Sequence, residues 1–382
     1  MDLLRGLVMI IMALDHTRDF FHYDSFVHDP LDLSTTTPVL FFTRWITHFC
    51  APVFVFLTGT SIYLQSFRKP PQVLMPFLIK RGLWLIFIEC VVITFAWTFD
   101  FCFSVIILQV IWAIGMSMIL MGFLIRLPYK FILFGGLLLI AGHNVLDYFP
   151  STHSGVFWDL FRNGDFADFS LPAGRSVVII YPFAPWLGIM MIGYAFGKLF
   201  EAETDPPKRK RFLLFSGCVL IVAFIFIRLL NGYGDPHYWS LQKNWLVTLF
   251  SFVNVNKYPP SLLYTCMTIG PALLFLGLTE SYTGRISQII QVYGKVPFLY
   301  YVLHFYVLHL LCMVLFVLRG HSFNEVLQSI YGIPFRFVIS GEGYPLTIVY
   351  LIWIGIVLAL YPVCKWYSDL KARNKSWWLS YL

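Results

Sequence analysis

The chain has 382 residues, of which 58% are hydrophobic and 12% are charged, and its formal net charge is +7. Soluble domains average about 25% charged residues, so this composition excludes a disordered chain and a soluble enzyme with one buried core. Seven cysteines stand singly, without a CxxC or metal-type spacing, which argues against a zinc centre or a disulfide framework and leaves an integral membrane protein.

Ten segments are long and apolar enough to cross a bilayer, which takes about 20 residues per helix. The sequence thus predicts an all-α, polytopic membrane protein with a single transmembrane domain over residues 1–382. A linker-like cytoplasmic loop is expected near 200–211, at EAETDPPKRKR. The predicted spans are 3–21, 38–65, 82–99, 101–125, 131–147, 177–199, 212–230, 261–279, 292–317 and 345–364.

The distribution of positive charge predicts the orientation. With the N-terminus inside, sixteen Lys and Arg residues fall in inner loops and the C-terminal tail, whereas six fall in outer loops. Positive residues accumulate on the cytoplasmic side, and an even number of spans puts both termini there. The positive net charge is therefore explained by basic cytoplasmic loops that face anionic lipids, and we expect no nucleic acid partner. The longer, aromatic-rich connections lie outside, where we expect the chemistry of an acceptor or ligand.

Ionisable residues within apolar helices are costly, so they normally face the bundle interior and have a function. In the first segment, Asp15 and Arg18 share a helix face, whereas His16 points about 100° away. One interpretation is a carboxylate that orients a catalytic imidazole. The other is an Asp–Arg pair that only holds helices together. The presence of an acid and a histidine at one depth favours the first.

Two further segments carry histidines. In the second, Arg44 and His48 lie four residues apart on one face, so His48 is either a general base or a buried histidine satisfied by a neighbouring polar group. In the ninth, Tyr300 and His304 lie one turn apart, and His309 points about 140° away from His304. Those two histidines therefore cannot bind one haem or metal from this helix alone. Tyrosines at such positions more often pack in the core than bind a ligand.

Established catalytic motifs are missing from the sequence, which has no GxxxxGK[ST], GxGxxG, HExxH, GxSxG or CxxCH pattern. Their absence argues against a phosphate-binding loop, a zinc peptidase, an α/β hydrolase and a c-type haem attachment site. Together with the cysteine spacing, it leads us to expect no metal.

Four sequence segments, taken in order, carry a family resemblance. They are DLLRGLVMIIMALDH, RWITHFCAPVFVFLTGTSIYL, NKYPPSLLY and GKVPFLYYVLHF. Their order resembles the heparan-α-glucosaminide N-acetyltransferase family, whose bacterial branch has been called a domain of unknown function. The resemblance covers nearly the whole chain. It implies a ten-helix transmembrane acyltransferase that takes acetyl from cytoplasmic acetyl-CoA and passes it to a sugar amine or hydroxyl on the other face.

The resemblance also implies catalytic positions. The polar residue that ends the first helix falls on Asp15, where the lysosomal enzyme has an amide. The polar residue four before the second-helix proline falls on His48, where that enzyme has a carboxylate. The swap suggests a shared layout with rearranged proton chemistry. The family's loop histidine has no secure counterpart here, and His28 in FVHDP is the nearest candidate, followed by His22.

Other positions implied by the resemblance concern acetyl-CoA. The family's Asn-Lys pair before the eighth helix falls on Asn256 and Lys257, with Ser261 following. Its ninth-helix histidine falls on His304, and Tyr300 lies one turn before it. We expect these five residues to contact acetyl-CoA as co-substrate, with Lys257 alternatively holding the acceptor because it is placed on the outer side.

Acyl transfer from a thioester needs a base for the attacking group and donors for the tetrahedral oxyanion. We expect His48 to be the base, oriented by the first-helix carboxylate, with His16 and His28 as competing candidates. Arg44 or Arg18 is expected to stabilise the oxyanion or to pair with that carboxylate. Direct transfer and a ping-pong route through an acetyl-histidine both remain open.

A proton-coupled secondary transporter of a carbohydrate or lipid-linked intermediate is the alternative function, because buried Asp, His and Arg residues also serve transport. For the acyltransferase, the expected partners are acetyl-CoA, an extracytoplasmic glycan or amino-sugar acceptor, and the lipid bilayer. The expected location is a bacterial inner membrane, and a homodimer is one option for the assembly.

Overall fold

The computed structural model of the chain describes residues 1–149, 155–327, 335–339, 341–374, 376 and 379. These residues form a mostly helical structure with one small sheet. The α-helices are α1 (Asp2–Phe21), α2 (Pro38–Ile46), α3 (Cys50–Ser66), α4 (Pro71–Ile88), α5 (Thr94–Thr98), α6 (Val110–Leu124), α7 (Tyr129–Gly142), α8 (Val156–Phe161), α9 (Phe183–Phe196), α10 (Pro206–Leu230), α11 (Trp245–Val253), α12 (Leu262–Leu278), α13 (Arg285–Lys295), α14 (Pro297–Leu318), α15 (Phe323–Leu327) and α16 (Leu346–Arg373). The strands are β1 (Val105–Leu108), β2 (Ala167–Leu171) and β3 (Arg175–Ile179).

The chain folds into two compact units, each assembled from separate stretches of sequence. Unit 1 consists of Met1–Cys50, Val91–Val105 and Thr283–Leu382, and unit 2 consists of Ala51–Cys90 and Ile106–Tyr282. In unit 1, α1 packs against α13, α14 and α16. In unit 2, α4 packs against α6, α7 against α9, and α10 against α12.

Neighbouring helices approach each other at glycines that face each other. In unit 1, α1 and α13 cross at Gly6 and Gly294, where a methyl group on Gly294 would lie 2.0 Å from the carbonyl oxygen of Asp2. In unit 2, α3 and α9 cross at Gly59 and Gly193, with the same 2.0 Å to a carbonyl oxygen. Close approach through small residues is the usual means of helix packing in membranes. Each crossing is fixed by backbone atoms, which cannot move aside as a side-chain end can.

The small sheet corrects two predicted spans. Its strand order is β1-β3-β2, and β2 pairs antiparallel with β3 from Ala167 opposite Ile179 to Leu171 opposite Arg175. The spans predicted at 101–125 and 177–199 are therefore wrong at their starts, which form β1 and β3. Both starts are runs of β-branched residues, which favour strands, and hydropathy does not distinguish a short buried strand from a helix.

Six helices in the described part of the chain are long and apolar enough to span a membrane. They are Pro38–Ser66, Tyr129–Tyr148, Phe183–Phe200, Pro206–Leu230, Pro297–Leu318 and Leu346–Arg373, and the first three each include a 3₁₀ turn. Six of the ten predicted spans thus contain such a helix, and the count of ten is not confirmed. α6 and α12 are apolar but shorter, and α1 has twenty residues but carries five charged ones. The orientation of the termini stays a prediction.

Two predicted boundaries are corrected by prolines. The linker expected at 200–211 is shorter, because α10 begins at Pro206, whose fixed φ suits the first turn of a helix. The span expected at 292–317 is broken, because the backbone leaves the helical conformation at Val296, between α13 and α14. α14 then begins at a proline for the same reason.

A buried acid caps a helix in unit 2. The predicted span 82–99 begins earlier, with α4, and contains a π-helical turn over Glu89–Ile93. The carboxylate of Glu89 accepts hydrogen bonds from the backbone N–H groups of Gln109 at 3.3 Å and Trp112 at 3.1 Å. These groups lie at the start of α6, where a helix has unpaired donors and favours negative charge. This acid therefore stabilises a helix end.

A polar cluster follows α14 in unit 1, and we call it the His321 cluster. Nδ1 of His321 lies 3.0 Å from Glu325 and its Nε2 lies 3.0 Å from Glu342, while Arg319 lies 3.4 Å from Glu342. The two ring nitrogens of a histidine can donate at the same time only when the imidazole is protonated. The hydrogen bonds to Glu325 and Glu342 accordingly raise the pKa of His321. Nearby, Tyr344 donates its backbone N–H to the end of α1, so the cluster borders that helix.

Candidate active site

Two histidines from distant parts of the sequence meet in unit 1. His16 lies on α1 and His304 lies on α14, and these two helices pack together. Nδ1 of His16 is 2.7 Å from Nε2 of His304, and the two rings are inclined by only 21°. Nδ1 of His304 is in turn 3.0 Å from the carbonyl oxygen of Tyr300. A chain of two imidazoles thus ends at a backbone carbonyl.

The carbonyl fixes where the protons lie. A carbonyl oxygen only accepts, so Nδ1 of His304 must donate to Tyr300, and a neutral His304 then carries its lone pair on Nε2. His304 is fully buried, which disfavours the charged ring. His16 therefore donates from Nδ1, and in its neutral form its basic lone pair lies on Nε2. This arrangement resembles an oriented base, with His304 in the position of the orienting partner.

Aromatic rings surround the histidine pair. The ring of His16 lies 4.1 Å from Phe305, 5.4 Å from Trp97 and 6.4 Å from Tyr301, between ring centroids. Such packing restricts the rotation of the imidazole and lowers the local dielectric, which strengthens its hydrogen bond. Part of the His16 side chain remains accessible, in contrast to His304. Of this pair, only His16 has an accessible side chain.

The acid beside His16 belongs to an ion-pair cluster. Asp15 Oδ1 lies 3.1 Å from Arg18, its Oδ2 pairs with Arg44 of α2, and Arg18 also pairs with Asp19 at 2.5 Å. The two acids and two arginines balance in charge. The Asp15–Arg18 pair that the spacing left open is therefore present, and the Asp15–Arg44 pair ties α1 to α2. Through this tie, Asp15 and Arg44 fix the position of the helix that carries His16.

The remaining histidine candidates occupy different environments. His48 lies in a 3₁₀ turn over Thr47–Phe49 and is 1% exposed. His28 is exposed in the loop after α1, where its Nδ1 lies 2.8 Å from Asp24. His22 is buried at the end of α1 and accepts the backbone N–H of Asp24 at 3.3 Å.

Tyr300 contacts the histidine pair through its backbone carbonyl. Its carbonyl orients His304, and its ring lies parallel to the imidazole at 5.5 Å. Its hydroxyl is buried and has no hydrogen-bond partner among the residues that the structure describes. The sequence pointed to the side chain of Tyr300, whereas the structure shows a role for its carbonyl, which no pattern of side chains reveals.

The predicted acetyl-CoA residues of the NKYPPS segment lie in unit 2. Asn256 donates its backbone N–H to Asp235 at 2.8 Å, and Ser261 donates its hydroxyl to the same carboxylate at 2.7 Å while capping the start of α12. Lys257 is 8% exposed, and its ammonium lies 5.0 Å from the ring of Tyr258. Asn256 and Ser261 therefore shape a turn, and Lys257 faces an aromatic ring.

Sequence reasoning missed the organising groups of this segment. Asp235 is buried, and burial raises the pKa of its carboxyl. Arg228, at the end of α10, donates to four backbone carbonyls, including those of Ser251 and Asn254, at 2.6 to 3.0 Å. An arginine within an apolar segment does indicate a buried polar contact. Its partners here are backbone carbonyls, however, and every residue has one, so the sequence does not show which of them it binds. Within the described ranges, no group of three His, Cys, Asp or Glu residues is placed to hold a metal ion.

Comparison with known proteins tests the family resemblance. Residues 1–227 match the family described as heparan-alpha-glucosaminide N-acetyltransferase, catalytic. No match is found among curated proteins. The matched stretch is more than half of the 382 residues, and the apolar helices are those of an integral membrane protein. The resemblance is confirmed: this chain belongs to the heparan-alpha-glucosaminide N-acetyltransferase family of membrane acetyltransferases.

Proposed function

We propose that this protein transfers an acetyl group from cytoplasmic acetyl-CoA to an amine or hydroxyl of an extracytoplasmic sugar, with His16 as the general base. The 2.7 Å contact between His16 and His304 carries the proposal, because it directs the basic lone pair of His16 to Nε2. Family membership supports acetyl-CoA as the donor. A single catalytic domain over residues 1–382 and a bacterial inner membrane as its location belong to the same proposal.

The proposed reaction is a nucleophilic attack on a thioester. The sugar amine or hydroxyl attacks the acetyl carbonyl carbon, and Nε2 of His16 takes the proton of the attacking group. The tetrahedral intermediate then collapses, the C–S bond breaks, and CoA leaves with the electron pair and receives the proton from His16. In a ping-pong route, Nε2 itself attacks the thioester carbon, the C–S bond breaks and CoA leaves as the thiolate. The sugar amine or hydroxyl then attacks the acetyl carbon, the C–N bond breaks, Nε2 regains its lone pair, and the proton of the sugar neutralises the thiolate.

His304 acts as a positioning residue in this scheme. When His16 becomes an imidazolium, its Nδ1–H still points to the lone pair on Nε2 of His304. That contact becomes a charge-assisted hydrogen bond, which is stronger than a neutral one. The pair thus stabilises the charge that develops on the base during the attack.

We favour His16 over His48 as the base because a base must reach the proton that it abstracts. His48 is 1% exposed, whereas part of the His16 side chain is accessible. We propose that Asp15, Arg18 and Arg44 position α1, and with it His16, through their ion pairs.

Release of CoA from acetyl-CoA by the purified full-length protein in detergent tests this function, with glucosamine as acceptor and without any acceptor. His16→Gln is expected to lower kcat by about 10²- to 10⁴-fold, the usual contribution of a general base. His237→Gln is the matched control, because that side chain is 73% exposed, and it should keep wild-type turnover.

Two outcomes would contradict the proposal. Wild-type turnover in His16→Gln, together with loss in a folded His48→Gln variant, would transfer the role of base to His48. Absence of CoA release by the folded wild-type protein under both conditions would refute the acetyltransferase function of this chain. Thermal unfolding of every variant provides the check on folding.

A further inference from the structure

Unit 2 contains a cavity of about 90 Å³ that the proposed chemistry leaves unused. Its walls come from the 3₁₀ turn that follows α7 and from the loop that follows α10. The side chains that surround it include Asn144, Asp147, Tyr148, Asp235, Pro236 and Tyr238. An amide, two carboxylates and two phenol rings around a small space form a mixed polar and aromatic lining.

Both carboxylates of the cavity are fixed and charge-balanced. Asp147 forms an ion pair with Arg162 and accepts a hydrogen bond from Asn144 Nδ2 at 2.7 Å. Asp235 lies 3.8 Å from Arg228, in the hydrogen-bonded turn described above. A carboxylate held in this way still has lone pairs that accept a hydroxyl group, while its negative charge is already compensated. The lining therefore suits a neutral, hydroxyl-rich ligand better than a free cation or anion.

The aromatic part of the lining is accessible. Tyr148 and Tyr238 are 52% and 60% exposed, and the hydroxyl of Tyr148 donates to the carbonyl of Gly232, which fixes its ring. An exposed phenol ring offers an apolar face on which the C–H side of a sugar ring packs, while neighbouring carboxylates and amides accept its hydroxyls.

We propose that this cavity binds one pyranose ring of the acceptor glycan. The proposal rests on the proposed function for the origin of the ring, and on the cavity itself for its chemistry. Because charge is balanced, the ammonium group of glucosamine gains no advantage, so methyl glucoside and glucosamine should bind with Kd values that differ by less than about threefold.

Titration of the full-length protein with methyl glucoside tests the inference, in a detergent without a sugar headgroup. Tyr238→Ala is the main variant, because the phenol is 60% exposed and has no hydrogen bond within the described part of the chain, so we expect the fold to stay intact. The lost aromatic contact should raise Kd by about tenfold. Tyr282→Ala, whose ring is 54% exposed elsewhere in unit 2, is the matched control and should keep the wild-type Kd. Asp147→Asn should weaken binding as well.

The outcomes separate this inference from the proposed function. His16→Gln should bind methyl glucoside as the wild type does, although its CoA release is lost. Sugar binding without any CoA release by the wild type would refute the acetyltransferase function and leave the cavity site standing. CoA release by a wild type that binds no sugar, or a Kd that is equal in wild type, Tyr238→Ala and Asp147→Asn, would refute the cavity site alone.

Discussion

The contact between His16 and His304 can be tested by changing the acceptor atom while keeping the volume of the side chain. His304→Leu removes the lone pair that receives the proton of His16 Nδ1. His304→Gln keeps an amide oxygen at a similar distance from the backbone, so it can accept the same hydrogen bond. His304 is fully buried, and both replacements are close to it in size, which limits effects of packing.

The expected magnitude follows from the energy of one hydrogen bond. A net hydrogen bond contributes about 0.5–1.5 kcal/mol, which corresponds to a factor of about 2 to 13 in an equilibrium. Without an acceptor at Nδ1, the proton of His16 redistributes to Nε2, where the imidazole can no longer act as the base. His304→Leu should therefore lower kcat by up to about tenfold, whereas His304→Gln should stay within about threefold of the wild type. KM for acetyl-CoA should not change.

Steady-state CoA release at saturating acetyl-CoA gives kcat for each variant, and thermal unfolding shows whether the fold is intact. A purely structural role of His304 would lower kcat in both variants in proportion to their loss of stability. Equal losses in His304→Leu and His304→Gln, or an effect confined to KM, would refute the orientation of His16 by His304.

Two further predictions concern packing and pH. Gly294→Ala should lower the free energy of unfolding by about 1–3 kcal/mol, because its methyl group meets a backbone carbonyl. Gly355→Ala meets no atom of the described residues within 4 Å and should not lower it. Equal melting temperatures of the two variants would contradict the close crossing of α1 and α13 at Gly294. Because hydrogen bonds to Glu325 and Glu342 raise the pKa of His321, that stabilisation is complete below about pH 6.5 and is lost as the pH rises through the raised pKa. Between about pH 6 and 9, the melting temperature of the wild type should fall more steeply than that of His321→Gln, and parallel curves would contradict the assignment.

The helical class and most spans were predictable because hydropathy reports which residues avoid water. It does not report backbone conformation, so the apolar starts of 101–125 and 177–199 were assigned to helices although they form strands. A proline often marks the first turn of a helix, and Pro206 and Pro297 stand at the starts of α10 and α14. Hydropathy alone placed both of these helix starts at other residues. The order of four short motifs suggested the family, because together they constrain far more positions than composition does, and the family match covers the stretch that holds the first two of them.

The sequence pointed to His16 and His304 separately but not to their contact. Spacing on α1 shows that Asp15 and His16 point in different directions, but it does not show which neighbouring helix each one faces. The partner of His16 lies 288 residues away, on α14, and is set by the packing of unit 1. The role of Asp235 was not predictable, since a loop has no periodic pattern and its partners are backbone groups.

The ion-pair cluster of Asp15, Arg18, Asp19 and Arg44 also bears on how the protein enters the membrane during synthesis. α1 is synthesised before α2, with Asp15 and Asp19 opposed by Arg18, and an uncompensated charge within a bilayer costs up to about 2.5–3.5 kcal/mol on insertion scales. The compensating Arg44 arrives only with α2. We therefore expect α1 to insert more stably together with α2 than alone, and a nascent chain arrested before Arg44 leaves the ribosome should hold α1 less firmly in the membrane than one that includes α2.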